Sequence, residues 1–369
     1  MEGTCERGKA LIAMSGGVDS SVAAKRMVDQ GYECVGCTMK LYDNEDVGIS
    51  HAHTCCSLED VEDARDVAYR LGMPYYVFQL KDGFREKVIQ KFVQSYEAGI
   101  TPNPCIDCNR YMKFEKLFER AAVLECQYIV TGHYARIEYD GSRYLLKKAL
   151  DETKDQSYVL YSMTQEQLAH VKFPLGGLRK TQTRQIAERC GFINAHKPDS
   201  QDICFVQNGD YASAIERYTG RMAQPGNFVD SAGNVLGVHR GIIHYTIGQR
   251  RGLGISFPEP MYVCRICAKD NTVVLGKKEE LYSRETDVGE FHWISGEAPQ
   301  AQIRCKAKIR YRQPEQWAFA IPQADGVVHL LFDEPQRAIT PGQAAVLYDG
   351  DVVLGGGVIA SGTCREGCL

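Results

Sequence analysis

The sequence predicts an α/β protein: a doubly wound parallel sheet followed by two smaller β-rich domains. Three observations carry this. In the first half, apolar strand-like runs alternate with helix-periodic segments, which argues for parallel βαβ units. A glycine-rich turn, Ser15-Gly16-Gly17-Val18-Asp19-Ser20, joins the first such run to the first periodic segment. Beyond about Val206 helical periodicity fades, and short β-type runs with Gly, Asn and Asp turns replace it. The expected division is 1–207 as the ligand-binding catalytic domain, 208–280 as a small β-rich domain and 281–369 as a β-barrel-like domain.

In order, Ala10–Ala13 reads as a strand and Val22–Val28 as part of the helix after the glycine turn. Cys34–Leu41 is a second strand. Ser57 with Asp60 makes a capping pair for a helix that ends at Gly72. Tyr75–Leu80 and Tyr128–Thr131 read as strands, with helices over Phe84–Ala98 and Asn109–Leu124 between them. A hairpin turning at Asp140-Gly141 follows, then helices starting at Thr164 and Lys180, the latter closed by Gly191.

At 369 residues the chain is long enough for two or three domains. No signal peptide and no bilayer-length apolar run is present, so a cytoplasmic protein with no membrane partner is expected. The fifteen cysteines are scattered rather than framed as in a small secreted domain. A net charge of −4 gives no general affinity for nucleic acid, so any RNA contact must come from local basic patches.

The glycine turn lets backbone N–H groups approach an anion, and the following helix start adds further donors. Ser15, Ser20 and Ser21 offer hydroxyls, and Asp19 is a candidate to hold the Mg²⁺ of a polyphosphate. The G-x-x-x-x-G-K-[ST] spacing of a Walker loop is absent. In Thr101-Pro102-Asn103-Pro104-Cys105-Ile106-Asp107-Cys108-Asn109, two prolines favour an extended loop that cannot join a helix, placing both cysteines at a loop-to-helix junction. A helix N-terminus favours the thiolate, which suits nucleophilic attack, a persulfide or a metal. Cys204 lies far along the chain, in Pro198–Phe205. The pairs Cys34/Cys37 and Cys264/Cys267 sit in apolar runs and read as buried, inert thiols, and Cys55-Cys56 receives no role. Arg304, Lys306, Lys308, Arg310 and Arg312 alternate with Cys305, Ala307, Ile309 and Tyr311, which on a strand puts five cations on one face. That stripe suits phosphate contacts. Arg240, Arg250 and Arg251 suggest a second patch.

The S-G-G-x-D-S turn resembles the PP-loop of the ATP pyrophosphatases, whose adenine nucleotide alpha hydrolase-like fold the first domain would share. Further stretches follow in order: Asn103-Pro104-x-x-x-Cys108-Asn109, Thr131–Ala135, Lys154–Tyr158, Asp199–Phe205, His244–Arg250 and Thr340–Gln343. Together with the PP-loop they are similar to the tRNA-specific 2-thiouridylases over nearly the whole chain. That resemblance implies a tRNA-uridine 2-sulfurtransferase. It would adenylate the O2 of the wobble uridine with ATP, releasing pyrophosphate, and then replace the oxygen with sulfur, releasing AMP. Ala13, Met14, Ser15, Gly16, Gly17, Val18, Asp19, Ser20, Met39 and Gly132 would hold ATP with Mg²⁺. Cys108 would be the nucleophile or a disulfide partner, and Cys204 the persulfide carrier. Asn103, Pro104 and Cys105 would touch the target base; His133, Lys154, Asp155, Gln156, Arg310, Tyr311 and Gln343 would contact the tRNA. The implied partners are the anticodon stem-loop and a donor protein of a persulfide relay or free sulfide, with the enzyme a monomer.

Many members of that family carry aspartate where this chain has Cys105. Cys105, Cys108 and Cys204 are therefore expected to form a three-thiolate set able to bind a [4Fe–4S] cluster. Two other readings compete: a PP-loop ligase adenylating a small acid, and a non-catalytic or zinc-stabilised RNA-binding module.

Overall fold

A computed structural model describes residues 7–43, 58–199, 203–206 and 209–360. Cys55, Cys56, Ser57 and the stretch 200–202, all named above, lie outside the described residues.

The N-terminal sheet is parallel throughout. Its strands are β1 (Lys9–Ala13), β2 (Glu33–Lys40), β3 (Tyr75–Gln79), β4 (Tyr128–Val130) and the short β7 (Val171–Lys172), in spatial order β3-β2-β1-β4-β7. The chain leaves β1 toward β2 on one side, while β4 lies on the other. This reversal places a crevice at the carboxyl ends of β1 and β4, where open α/β sheets take their ligands. Helix α1 (Val18–Asp29) packs Val22, Ala23 and Met27 beneath one face with Ala64, Val67 and Ala68 of α2 (Leu58–Arg70). Leu117, Ala121 and Phe114 cover the other face.

Three expectations change. Pro104 does join a helix, as its first residue: Asn103 caps it, its side chain accepting from Cys105 N–H at 3.2 Å. A proline costs nothing at that position, because the N–H it lacks would have no intrahelical partner. The helix runs as Pro104–Asp107, a π-helical stretch Cys108–Lys116, then Leu117–Val123. The region expected as Phe84–Ala98 likewise contains a π-helical stretch, Arg85–Ile89, between α-helical Lys81–Phe84 and Gln90–Glu97. Finally, the β-rich region opens with a helix, Tyr211–Thr219, capped by Asp210 and closed by Gly220 at φ 66°. Its buried Ala212, Ala214 and Ile215 dock against Phe92 and Phe205, contacts that a short-range pattern does not register.

The middle sheet has strands β8 (Gly226–Val229), β9 (Val235–His239), β10 (Tyr262–Cys267) and β11 (Thr272–Gly276), ordered β10-β11-β8-β9, around Phe228, Val263 and Leu275. The last region is a barrel. Its strands are β12 (Tyr282–Trp293), β13 (Ile303–Lys308), β14 (Gln316–Pro322), β15 (Val328–Arg337), β16 (Ala344–Asp349) and β17 (Val352–Ile359), ordered β12-β15-β14-β13-β16-β17. A β12–β17 pairing closes it and removes the exposed edges. The hairpin β5 (Ala135–Tyr139) and β6 (Tyr144–Lys148) turns where expected but joins this barrel sheet, Lys147 pairing with Val352. Its N-terminal origin in sequence gave no hint of that partner.

Candidate active site

A cavity of about 820 Å³ opens at the carboxyl ends of β1, β2 and β4. Of the residues expected to hold nucleotide, Ala13, Met14, Ser15, Gly17, Val18, Asp19, Ser20, Met39 and Gly132 line it. So do Pro104, Cys105, Cys108, His133, Lys154, Asp155, Gln156, Cys204 and Tyr311. Gly16, Asn103, Arg310 and Gln343 stand behind this lining.

The glycine loop is held from behind. Gly16 has φ +72°, and a Cβ there would fall 2.4 Å from the Asp60 carbonyl oxygen, so only glycine fits. Ser20 Oγ accepts from Ser15 N–H at 3.1 Å and donates to the Gly17 carbonyl at 3.0 Å. Asn194, 2 % exposed, donates to the Gly16 carbonyl and to Ser21 Oγ. Gly132 lies against the start of α1, where a Cβ on it would fall 2.8 Å from Ser20 N. Strand β4 and the loop thus meet without side chains between them.

Asp19, the expected Mg²⁺ ligand, is engaged by protein. Lys180 Nζ lies 2.7 Å from both of its carboxylate oxygens, and Tyr134 OH donates to it at 2.9 Å. Lys180 also reaches Asp199 at 2.7 Å, and Asp199 binds Lys154 at 2.8 Å and Arg184 at 3.0 Å. Burial alone would raise the Asp199 carboxyl, but the ion pairs with Lys154 and Lys180 outweigh it and hold the group below the usual range. This chain of charges ties the loop to Pro198-Asp199, just ahead of Cys204. Sequence reasoning missed Lys180. A signal existed: a lysine in the first turn of a helix opposes the macrodipole and implies an acidic neighbour.

His133 is buried, with Nδ1 2.6 Å from Thr131 Oγ1 and Nε2 3.3 Å from Lys113 Nζ. Burial, and then the Lys113 charge, push its pKa well below 6.5, so the ring is neutral. Asp155 is part of the wall's scaffold: it accepts from Ala149 N–H at 3.0 Å and from Ser157 Oγ at 2.7 Å. Gln156 holds the Tyr134 backbone in both directions, each bond 2.9 Å.

The far wall comes from the barrel. Gln343 Nε2 donates to the Thr101 and Pro102 carbonyls at 2.9 and 3.2 Å, and Thr101 N–H donates to Pro341 at 3.0 Å. Gly342, at φ +86°, lies so close that a Cβ would meet Ile100 Cγ2 at 2.2 Å. The Thr340-Pro341-Gly342-Gln343 turn therefore sets the height of the Asn103–Cys108 segment. Tyr311 OH reaches the Asp155 carbonyl at 3.3 Å.

The expected cationic stripe is corrected. Strand β13 ends at Lys308, so the alternation stops before Arg310 and Arg312. Arg304 is paired with Asp333 at 2.7 Å and Lys306 with Glu315 at 3.5 Å, while Lys308 is half-buried and its pKa lowered by that burial. Arg310 turns inward, donating to the Ile247 and Ala338 carbonyls at 3.1 Å each and to Thr340 Oγ1. Burial lowers its pKa, and it joins the middle region to the barrel.

The three thiols share one cavity but not one ligand sphere. Among the described residues no group of three or more Cys, His, Asp and Glu side chains is gathered to hold a metal ion. Cys105, Cys108 and Cys204 in this arrangement do not fit a [4Fe–4S] cluster, and no disulfide joins described cysteines. Cys34 and Cys37 are buried in the core; burial pushes Cys34 up to about 11 and raises Cys37 further. Cys264, half-buried, is likewise raised to about 11. Among the described residues no helix is long and apolar enough to cross a membrane.

A parallel sheet with a glycine loop at its switch point, and cysteines opening onto the same cavity, is the arrangement of a nucleotide-binding α/β enzyme. The family described as "tRNA methyl transferase HUP domain" matches residues 8–208. Residues 213–277 match "tRNA methyl transferase PRC-barrel domain" and 283–359 match "Aminomethyltransferase beta-barrel domain". The chain is 52 % identical over 354 residues to the tRNA-specific 2-thiouridylase MnmA of Acetivibrio thermocellus, covering 95 % of this chain and 99 % of that protein. It is 48 % identical over 353 residues to the tRNA-specific 2-thiouridylase MnmA of Clostridioides difficile, covering 95 % of this chain and 98 % of that protein. The chain belongs to the tRNA-specific 2-thiouridylase (MnmA) family.

Proposed function

We propose that this protein is an ATP-dependent tRNA sulfurtransferase that makes 2-thiouridine at the anticodon wobble position. The observation that supports it most directly is the opening of the glycine loop and of Cys105, Cys108 and Cys204 onto the same cavity. An adenylating site alone needs no thiols, and an RNA-binding module needs no glycine loop.

The uridine O2 attacks the α-phosphorus of ATP, the bond to the bridging β-oxygen breaks, and pyrophosphate leaves with Mg²⁺. The N3 proton passes to water. The glycine-loop N–H groups and the start of α1 hold phosphate oxygens, and Asp19, which Lys180 binds, would hold the Mg²⁺ that accompanies ATP and offsets phosphate charge. A persulfide on Cys204, loaded by a donor protein or from a sulfide-derived sulfane source, presents its terminal sulfur to C2. The Cys108 thiolate attacks the inner sulfur of Cys204, and the C2–O bond breaks as AMP leaves. A Cys108–Cys204 disulfide remains, and an external thiol reduces it. Cys105 stands beside the base in place of the aspartate of many relatives. The anticodon stem-loop would lie across the mouth near Tyr311 and Arg312, the enzyme acting as a cytoplasmic monomer. Residues 1–207 would supply the chemistry, and 208–280 and 281–369 the RNA grip.

The test is anaerobic incubation with ATP, unmodified tRNA and a persulfide donor, reading 2-thiouridine by nucleoside mass spectrometry alongside AMP. Equal yields that vanish in Cys108→Ser and Cys204→Ser are expected from iron-free protein. AMP formation without tRNA would mean a small-molecule ligase instead. Tight tRNA binding without AMP would mean a binding module. Activity that rises with bound iron would restore the three-thiolate cluster.

A further inference from the structure

Lys113 lines the cavity on the side of Cys108 and Gly132. Its amine points to the His133 ring at 3.3 Å, and among the described residues no carboxylate oxygen pairs with it. Of the other cations lining the cavity, Lys154 pairs with Asp199 at 2.8 Å, Lys308 lies over the Tyr158 and Tyr311 rings on the barrel side, and Arg312 is exposed. A charge left facing a cavity without a counter-ion costs desolvation that the fold alone does not repay.

The position of Lys113 is set by local geometry. It lies five residues after Cys108 in the π-helical stretch Cys108–Lys116, whose wider turn suits both residues lining the cavity. An ordinary α-helix would rotate Lys113 away from Cys108. Stretches of this kind persist where a site needs them. Asn109, next to Cys108, is 3 % exposed; its Nδ2 donates to the Val159 carbonyl at 3.0 Å. On its other side Lys113 touches His133, and adjacent Gly132 packs on Ser20 N at the start of α1. Lys113 therefore stands between the thiols and the glycine loop. His133 is neutral, so it presents an acceptor to the ammonium and does not compete for an anion.

We propose that Lys113 is a catalytic residue that binds a non-bridging oxygen of the α-phosphate during adenylation of the uridine. This rests on the reading of the protein as an adenylating sulfurtransferase. In that reaction the group that must lie between the nucleotide loop and the attacking sulfur is the α-phosphoryl. It passes from the β-bridging oxygen to uridine O2 and leaves later as AMP. A preorganised cation there takes up charge as it develops, at no cost of reorganisation.

The test is single-turnover pyrophosphate release at saturating ATP and tRNA, with tRNA affinity measured in parallel. Lys113→Met, similar in length and uncharged, should lose about 100-fold in the rate of pyrophosphate release, the loss typical of one removed charge-stabilising donor. Its tRNA affinity should stay within about twofold, and Lys113→Arg should recover most of the rate. A Lys113→Met rate within threefold of wild type overturns the proposal. So does a defect confined to tRNA affinity, or normal pyrophosphate release with thiolation lost. If Lys113→Met proves unfolded by circular dichroism, Lys113→Gln is measured in its place under the same criteria. If wild-type protein itself releases no tRNA-dependent pyrophosphate, the functional reading fails first, and that result is distinct from any variant's failure.

Discussion

Replacing Lys180 with methionine tests whether the charge chain behind the glycine loop is structural. Lys180 is 8 % exposed and its amine meets Asp19 and Asp199 at 2.7 Å. Removing one partner of a buried pair costs about 3–5 kcal/mol, because the remaining charge loses its compensation. Two features reduce that figure here. Asp199 keeps Lys154 and Arg184, and Asp19 is about one-third exposed and keeps the Tyr134 hydroxyl. About 2 kcal/mol is then expected, since solvent screens the partly exposed Asp19. Both tryptophans, Trp293 and Trp317, lie in the barrel, so intrinsic fluorescence would miss a local change in the first region. Hydrogen exchange of α1 and of 194–199, with urea unfolding followed by circular dichroism, reads the right place. The double variant Asp19→Asn with Lys180→Met should lose less than the sum of the singles. A Lys180→Met loss below about 0.5 kcal/mol, the range of ordinary surface substitutions, would refute the reasoning.

Gly342→Ala should displace the Thr101–Cys108 segment, since its Cβ would meet Ile100 and the residue sits at φ +86°. Thiolation should fall more than tenfold with ATP affinity unchanged, read by nucleoside mass spectrometry and nucleotide titration. Arg310→Met should cost about 2–3 kcal/mol by leaving buried carbonyls without a donor, and change tRNA affinity less than twofold, read by unfolding and filter binding. His133 is held neutral by burial, so the unfolded chain takes up a proton there that the folded one refuses. Stability contributed at this position is complete above pH 6.5 and declines as pH falls below it, and His133→Gln should flatten that slope in urea midpoints measured from pH 5 to 7.5.

The local pattern was enough for the α/β first half and for the glycine loop. Strand alternation and a turn that only glycine permits are properties of neighbouring residues, and Gly16 at φ +72° obeys them. It was also enough to single out Asn103–Asn109, though not the helix that begins at Pro104, because cap geometry depends on which side chain reaches which N–H. The resemblance to the thiouridylases named candidate residues, but it did not divide those facing the cavity from those supporting it. Gln343 and Arg310 support from behind, the first through the Thr101 and Pro102 carbonyls, the second through Ile247 and Ala338.

What the sequence alone determined is the class of fold, the loop for the nucleotide and the identity of the thiols, all encoded within stretches of about ten residues. Tertiary structure decided the rest. Lys180 meets Asp19 across 161 positions of chain, and Gln343 meets Thr101 across 242. Lys113, on a π-helical stretch, reaches His133 across 20 positions. The neutralised stripe of β13 depends on Asp333 and Glu315, brought alongside by pairing and by a turn. Charges act through distance in space, and no pattern along the chain records which opposite charge folding will set beside them.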